Sequence, residues 1–230
     1  MSVVLITGAN RGIGLALTKL YAQRGDMVLA CCRTPNKAEQ LQALAKSYSV
    51  KVLPLSVDDD QSVTALSQQL SDSTIDVLIN NAGINGGPRD KQTATTMDFS
   101  AWANAFNVNT MGPVRVMQSL LPQLKRSKSP KVMNVTSQLG ALSLDANFSF
   151  AYCSTKAALN KFMRMAAIEL KQQGIAIGLV HPGWVQTDMG GAGAAITPTA
   201  SADGIAKVID QLTLDNAGSF WKWDGGVHAW

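Results

Sequence analysis

Three side chains in the second half of the chain have types and spacing that suit proton transfer. Tyr152 and Lys156 lie four residues apart in a segment of helical period, so they share one face of a predicted helix. Ser137 ends an apolar run fifteen residues before Tyr152. A nearby ammonium lowers the pKa of a tyrosine, which can then exchange a proton with a carbonyl or alcohol oxygen that the serine holds. An isolated Tyr-x-x-x-Lys is often an ordinary exposed pair, so this interpretation depends on the surrounding motifs.

A glycine-rich turn follows the first apolar run of the chain. It reads Thr7-Gly8-Ala9-Asn10-Arg11-Gly12-Ile13-Gly14 and leads into a helical pattern. Glycines permit a tight turn and let the backbone approach a pyrophosphate at the positive end of a helix. A simple strand-to-helix turn is the alternative. The position after a first strand favours a dinucleotide site.

The end of the second apolar run indicates which dinucleotide is preferred. The run ends at Cys32-Arg33 with no acid before Glu39, whereas folds that prefer NAD use an acid there for the ribose hydroxyls. Arg33, and Arg11 in the glycine turn, carry planar guanidinium groups that bind phosphate through paired hydrogen bonds. Each alone is more often a surface charge. Together they favour NADP(H).

Short apolar runs alternate with helical segments along the whole chain, which predicts an α/β fold. Near-continuous Val, Ile and Leu is typical of parallel strands covered on both faces, so we expect a single-domain doubly wound sheet over residues 1–230, with about seven strands flanked by helices. The predicted helices are 12–25, 36–48, 60–71, 99–125, 151–173 and 201–213. The predicted strands are Val3–Thr7, Met27–Cys32, Lys51–Ser56, Ile75–Asn80, Lys131–Ser137, Ile175–His181 and Ser219–Trp223.

Two segments of this pattern carry further expectations. The helical period is clearest in 151–173, where five apolar residues fall on roughly one face. The stretch Gly190–Ala202 is rich in Gly, Ala, Thr and Pro, which predicts either a flexible loop over the active site or a poorly ordered connection. The five apolar residues are Ala158, Phe162, Met165, Ala166 and Leu170.

Composition excludes several other classes of protein. The chain has 230 residues, 46% of them hydrophobic and 16% charged, with a net charge of +4, so we expect a packed core and no nucleic-acid partner. Three cysteines and two histidines make a metal site improbable. No apolar stretch reaches the ~20 residues of a membrane span. The N-terminus has no signal-peptide pattern, so we expect a cytoplasmic protein without a membrane partner.

Six blocks in order along the chain resemble the short-chain dehydrogenase/reductase family and its Rossmann fold. They are Thr7–Gly14, Asn80–Gly83, Asn107–Thr110, Ser137, Tyr152 to Lys156, and Pro182–Thr187. The segment His181–Gly191 and the tail from Gly218 to Trp230 resemble a narrower branch, the C-factor and sniffer-type carbonyl reductases. That branch implies NADPH-dependent reduction of aldehydes, ketones or quinones, or alcohol oxidation in reverse.

The resemblance implies a role for each matched residue. Tyr152 is the general acid in reduction, Lys156 lowers the pKa of Tyr152 and binds the nicotinamide ribose, and Ser137 orients the substrate. Asn109 supports a water-linked proton relay. The residues implied to contact NADP(H) are Gly8, Asn10, Arg11, Gly12, Ile13, Gly14, Arg33, Val57, Asn81, Ala82, Gly83, Tyr152, Lys156, Pro182, Gly183, Val185 and Thr187.

Two features depart from the family pattern. Ser56 stands where an aspartate near the end of the third strand normally contacts the adenine, so either Asp58 substitutes or the contact differs. The interval from Ser137 to Tyr152 is about two residues longer than in the family, which predicts a loop within Gly140–Phe150 that lines the substrate pocket. Candidates for its apolar wall, or for core or interface positions, are Leu139, Phe148, Trp184 and Met189.

Other functions compatible with this sequence are kept as alternatives. A non-enzymatic NADP-binding sensor or signalling protein could use the same fold, but it does not need Asn109, Ser137, Tyr152 and Lys156 together. Sugar-nucleotide epimerases use a similar Tyr and Lys but are usually longer. The two long helices, 99–125 and 151–173, are used for subunit contacts in similar proteins, which favours a homo-oligomer, either a dimer or a tetramer.

Overall fold

Seven parallel strands form one sheet in the computed structural model, which describes residues 1–230. Every neighbouring pair is parallel, and the spatial order is β3-β2-β1-β4-β5-β6-β7. This confirms the predicted doubly wound sheet and its number of strands. The strands are β1 Val3–Thr7, β2 Met27–Cys32, β3 Val50–Pro54, β4 Val77–Asn80, β5 Lys131–Val135, β6 Ala176–His181 and β7 Phe220–Lys222.

Helices cover both faces of the sheet, as the continuous apolar strands require. Along β1, Val4 and Ile6 pack beneath α1, α2 and α8, whereas Leu5 packs beneath α3, α5, α6 and α7. No helix is long and apolar enough to cross a lipid bilayer. The helices are α1 Gly12–Gln23, α2 Glu39–Ser47, α3 Asp60–Gln69, α4 Phe99–Phe106, α5 Gly112–Ser119, α6 Leu121–Leu124, α7 Phe150–Lys171 and α8 Pro198–Gln211.

The strand order reverses between β1 and β4, and this reversal opens a crevice at one edge of the sheet. The two strands pair in register, with Leu5 opposite Leu78. The chain leaves β1 toward α1 on one face and leaves β4 toward helices on the other, so the loops diverge at the carboxyl ends of the strands. Doubly wound sheets bind their ligands at such a point.

The predicted helix 99–125 is interrupted at two places. A π turn, Asn107–Met111, separates α4 from α5, and Leu120 separates α5 from the short α6. Pro113 has no N–H to donate to the carbonyl of Asn109 four residues earlier, which favours a wider turn at this position. Helical period alone predicts no such break.

The predicted boundaries near the site also shift. α8 begins at Pro198 rather than at 201, because the Thr197 side chain accepts a hydrogen bond from the backbone N–H of Ala200 at 3.2 Å and proline suits the first helical turn. The loop from Gly190 therefore ends at Thr197 rather than at Ala202. β3 and β5 each end two residues earlier than predicted, which leaves Ser56 and Ser137 in the loops that follow them.

The buried face of α7 differs from its most apolar face. Of the five residues on the predicted apolar face, only Leu170 is buried, and Phe162 and Met165 are 41% and 57% exposed. The buried side instead includes Thr155, Lys156 and Asn160 together with Leu159, Met163 and Ala167. Polar residues with partners inside the fold occupy positions that hydrophobicity assigns to the surface.

Candidate active site

A cleft of about 1490 Å³ lies at the carboxyl ends of the strands, where the order of the sheet reverses. Its volume exceeds that of a typical small-ligand pocket, roughly 300–1,000 Å³, and suits a dinucleotide with a second molecule. All but two of the predicted site residues line it; Gly14 and Asn109 lie behind its wall. The predicted residues that line it are Gly8, Asn10, Arg11, Gly12, Ile13, Arg33, Val57, Asn81, Ala82, Gly83, Ser137, Tyr152, Lys156, Pro182, Gly183, Val185 and Thr187.

Ser137, Tyr152 and Lys156 meet at one end of this cleft. Tyr152 lies in the first turn of α7, and Lys156 follows one turn later with its Nζ 5.7 Å from the centre of the Tyr152 ring. The Lys156 ammonium donates to the carbonyl of Val135, the last residue of β5, at 2.9 Å. Ser137 is only two residues further along the chain, so this bond holds α7 against the segment that carries the serine.

Burial shifts the pKa values of both titratable residues toward their neutral forms. Burial raises the pKa of Tyr152 to about 12, and the hydroxyl of Ser137 acts in the opposite direction by hydrogen bonding. Burial also lowers the pKa of Lys156 to about 8. The lowered pKa that the sequence predicted for Tyr152 beside Lys156 is therefore not seen, because burial has the largest effect on the phenol. The neutral phenol is the stable form of Tyr152 near pH 7, which leaves it able to donate a proton.

The buried Lys156 ammonium should reduce the stability of the fold. We expect Lys156→Met in nucleotide-free protein to raise the free energy of unfolding at pH 7 by on the order of 2–3 kcal/mol, since methionine fills a similar volume without a charge. Below pH 8 the folded and unfolded chains are both protonated, so the full cost is present. As pH rises from 8 to about 10.5 the folded chain loses its proton first, and the gain from the substitution should fade.

Urea unfolding at pH 7 and pH 10 measures this effect. Lys161→Met is the matched control, because Lys161 is an exposed lysine on the same helix and should give no pH-dependent gain. An equal stability of the Lys156→Met variant and the parent protein at both pH values would contradict the depressed pKa.

Asn109 lies within the π turn and is fully buried. Its side-chain oxygen accepts a hydrogen bond from the N–H of Ile84 at 2.8 Å, and its side-chain amide donates to the carbonyl of Ile84 at 2.8 Å and to the hydroxyl of Thr155 at 3.1 Å. These bonds tie the loop after β4 to α7 one residue before Lys156. The side chain of Asn109 thus fixes the wall of the cleft and does not face its interior.

The glycine turn is held in place from the neighbouring strand. The Asn81 side chain donates to the carbonyls of Thr7 and Gly8 at 3.0 and 3.1 Å, and the hydroxyl of Thr7 accepts from the backbone N–H groups of Asn81 and Ala82. A Cβ at Gly14 would lie 2.3 Å from the carbonyl oxygen of Gly8 and 2.6 Å from the Asn81 side chain. The third glycine therefore lets α1 approach the turn closely.

The two arginines predicted to bind phosphate have different surroundings. Arg33 is exposed at the mouth of the cleft just after β2 and forms no ion pair. Arg11 pairs with Asp188 at 2.5 Å across the cleft, between the glycine turn and the segment after β6. Both partners are mostly exposed, so the pair is worth little in water and leaves Arg11 free to exchange partners.

Asp58 supplies a carboxylate near Ser56, the residue that replaces the family's aspartate. The Ser56 hydroxyl donates to the carboxylate of Asp58 at 2.6 Å, and Asp58 lines the cleft. Arg115 holds the same segment through the carbonyl of Val57 at 2.7 Å and the carboxylate of Asp60. The serine thus orients the acid two residues later.

The loop between Ser137 and α7 borders the end of the cleft that holds Ser137 and Tyr152. It contributes Phe148 and Ser149, and the four predicted apolar residues Leu139, Phe148, Trp184 and Met189 all line the cleft. The N–H of Ser143 donates to the carbonyl of Trp230, whose ring stacks near Phe220 with centroids 5.4 Å apart. The C-terminal residue therefore anchors the loop, a role that an aromatic terminus alone does not predict.

Sequence reasoning missed two further features of the site. Asn160 is buried and links the Thr136 hydroxyl, at 2.6 Å, to the carbonyl of Gly140, at 3.2 Å, which fixes the Ser137 segment against α7. Its position one turn after Lys156 was an available signal. Arg89, in the loop after β4, also lines the cleft, and no motif marked it.

Comparisons of the sequence and of the structure with known proteins all find members of one family. A model of the short chain dehydrogenase family matches residues 2–195. The C-signal protein of Myxococcus xanthus is 36% identical over 167 residues, which cover 72% of this chain and 99% of that protein. The NADPH-bound carbonyl reductase from chicken fatty liver has a TM-score of 0.91 at 32% identity, and the Drosophila melanogaster carbonyl reductase Sniffer has 0.92 at 29%; both align over the full length of both chains.

These matches agree with the geometry of the cleft. The family match covers the glycine turn, the segment after β4, and the Ser137, Tyr152 and Lys156 cluster, and the structural matches cover the whole sheet. The chain therefore belongs to the short-chain dehydrogenase/reductase family of oxidoreductases and is similar to C-signal and to sniffer-type carbonyl reductases.

Proposed function

We propose that residues 1–230 act as one NADP-binding oxidoreductase domain that reduces aldehydes, ketones or quinones with NADPH, and oxidises alcohols in the reverse direction. The observation that carries the proposal is the single cleft in which the glycine turn and the Ser137, Tyr152 and Lys156 cluster are both exposed. A dinucleotide that starts at the turn can extend along this cleft toward the tyrosine. The partner is a small carbonyl or alcohol molecule.

The residues of the cleft fit a dinucleotide. Gly8 and Gly12 have φ values of +64° and +54°, and a Cβ on either would lie within about 3.0 Å of Ala82 or Thr187. The turn therefore presents bare backbone at the N-terminus of α1, where a helix favours phosphate. The Lys156 side chain and the Val185–Thr187 segment also line the cleft, and the nicotinamide half would bind between them.

Gly14→Ala tests this assignment of the turn. The added methyl group would contact the Gly8 carbonyl and the Asn81 side chain, so the turn must move, and we expect the dissociation constant for NADPH to rise at least about tenfold. NADPH fluorescence titration measures it. Gly193→Ala is the control, because a Cβ there meets nothing within 4 Å. Equal NADPH affinity in the two variants would show that the turn does not contact the cofactor.

The proposed preference for NADPH rests on charge. Arg33 is an exposed cation at the end of β2 with no acidic residue before Glu39, and Arg11 is held nearby only by an exposed ion pair. An arginine at this position accommodates a 2′-phosphate, whereas an acid would repel it. The NADPH-bound carbonyl reductase from chicken fatty liver supports the choice by similarity.

The proposed reaction uses the neutral phenol. When bound, NADPH supplies a hydride to the carbonyl carbon. The Ser137 hydroxyl donates a hydrogen bond to the carbonyl oxygen, and the Tyr152 hydroxyl gives its proton to that oxygen as negative charge develops. The Lys156 ammonium stabilises the resulting tyrosinate. The buried bonds of Asn109 to Ile84 and Thr155 hold this geometry, and its main chain in the π turn is the proposed support of the proton relay.

The direct test follows NADPH absorbance in the presence of a panel of aldehydes, ketones and quinones, with NADH in parallel. Oxidation that depends on both the carbonyl compound and Tyr152 would support the proposal. Tight binding of NADPH without turnover across a broad panel would contradict it.

That second outcome would favour a signalling role. One relative carries the name C-signal, and the same fold can bind a dinucleotide without turnover. A signalling protein would retain NADPH affinity and would not depend on Tyr152. An epimerase would leave the total amount of NADPH unchanged, so product analysis distinguishes all three.

A further inference from the structure

The order of the strands separates the two ends of the cleft. Arg33 follows β2 and Ser137 follows β5, which are three strand positions apart, or about 14 Å at ~4.8 Å per strand. The loop after β4 lies at the Ser137 end, because a Cβ on Gly86 would touch Ala151 at 3.0 Å and Ala105 at 3.2 Å. Ala151 directly precedes Tyr152, so this loop borders the proposed reaction site.

Arg89, in this loop, lines the cleft as a free cation. It forms no ion pair and its side chain makes no hydrogen bond, whereas Arg11 is paired with Asp188. Only two carboxylates line the cleft. One is Asp188, and the other is Asp58, which follows β3 at the far end. The positive charge of Arg89 is therefore not neutralised by the protein.

The backbone around Arg89 is fixed, although its side chain is exposed. The buried Gln92 side chain donates to the carbonyl of Gly87 at 2.7 Å, and Asn109 binds both backbone groups of Ile84. These hydrogen bonds hold the loop on both sides of Arg89. A cation held at a fixed place on a cleft wall attracts and orients an anionic ligand.

We propose that Arg89 binds a carboxylate of the substrate, so that the preferred carbonyl compounds carry an anionic group remote from the carbonyl. This inference rests on the proposed reductase function. The apolar side chains of Leu139, Phe148 and Trp184 line the same end of the cleft and suit the uncharged part of such a molecule. The guanidinium then pairs with the carboxylate through two parallel hydrogen bonds.

The test compares para-carboxybenzaldehyde with para-carbamoylbenzaldehyde, which have nearly the same shape and differ in charge, and then their longer biphenyl homologues. The measured quantity is the ratio of kcat/KM for carboxylate over amide. We expect Arg89→Gln to lower this ratio about three- to tenfold. This range lies between the contribution to binding of an exposed ion pair and that of a charge-assisted bidentate hydrogen bond. The preference of the parent protein should also weaken as salt is added.

Lys91→Gln is the matched control, since Lys91 is an exposed cation two residues away that does not line the cleft. It should leave the ratio unchanged. An equal ratio in the Arg89→Gln variant and the parent protein, with the neutral aldehydes still reduced, would overturn this inference and leave the proposed function standing. Failure of the parent protein to reduce any of the aldehydes would count against both.

Discussion

Tyr152→Phe is expected to lower kcat for carbonyl reduction by about 10²–10⁴, the range that a positioned general acid contributes. The substitution removes one oxygen and keeps the ring that packs beside Lys156, so the cleft should keep its shape. The proton that Tyr152 would donate must then come from water or from the Lys156 ammonium, which donates its hydrogen bond to the Val135 carbonyl instead. Single-turnover NADPH oxidation with the best aldehyde of the panel measures the loss.

The same variant should bind NADPH within about tenfold of the parent protein, because a single hydrogen bond contributes roughly 0.5–1.5 kcal/mol. Tyr48→Phe is the matched control. Tyr48 also lines the cleft, at the end of α2, and is partly exposed, so its loss should leave turnover intact. Turnover within tenfold of the parent protein in Tyr152→Phe would show that another group donates the proton.

The sequence predicted the sheet well because its signal is local and repeated. Continuous apolar runs such as Val3–Thr7 and Met27–Cys32 can be buried on both faces only in a parallel sheet, and both strands have the predicted bounds. The glycine turn was equally predictable, since its close contacts to Ala82 and Asn81 leave no room for a side chain.

The parts that were not predicted depend on contacts between distant residues. The face of α7 that is buried carries Lys156 and Asn160, whose partners Val135, Thr136 and Gly140 lie in another loop. A hydrophobic pattern contains no information about such hydrogen-bond partners. It therefore predicted that Phe162 lies on the buried face of the helix, whereas Phe162 is exposed. The pairing of Arg11 with Asp188 and the free charge of Arg89 are likewise properties of the assembled cleft.

The proposed active site places two titratable groups where burial disfavours their charged forms, an arrangement that a structural role would not require. Burial disfavours the charged form of both Tyr152 and Lys156, yet the proposed reaction passes through tyrosinate beside an ammonium. In the resting protein only Lys156 is charged, so the two charges stabilise each other only during turnover. Perturbed groups of this kind cluster at functional sites, and here they lie at the carboxyl end of a strand in the cleft.

Arg33→Asp is expected to change the cofactor preference by about a hundredfold. The variant loses a charge-assisted hydrogen bond to the 2′-phosphate, worth roughly 1.5–3 kcal/mol, and gains a carboxylate that repels this group. The same carboxylate can accept hydrogen bonds from the ribose hydroxyls of NADH, so NADH affinity should stay the same or improve. Titration of both nucleotides, monitored by their fluorescence, gives the two dissociation constants.

Lys37→Asp provides the control for net charge. Lys37 is an exposed lysine four residues after Arg33 that does not line the cleft, and its replacement changes the charge of the protein by the same amount. A general electrostatic effect would weaken NADPH binding similarly in both variants, whereas direct contact confines the loss to Arg33→Asp. If the ratio of NADPH to NADH affinity stays unchanged in Arg33→Asp, the 2′-phosphate does not bind at the end of β2. Arg11, released from Asp188, would then be the residue to replace next, because it is the other cleft cation that the glycine turn brings to this part of the site.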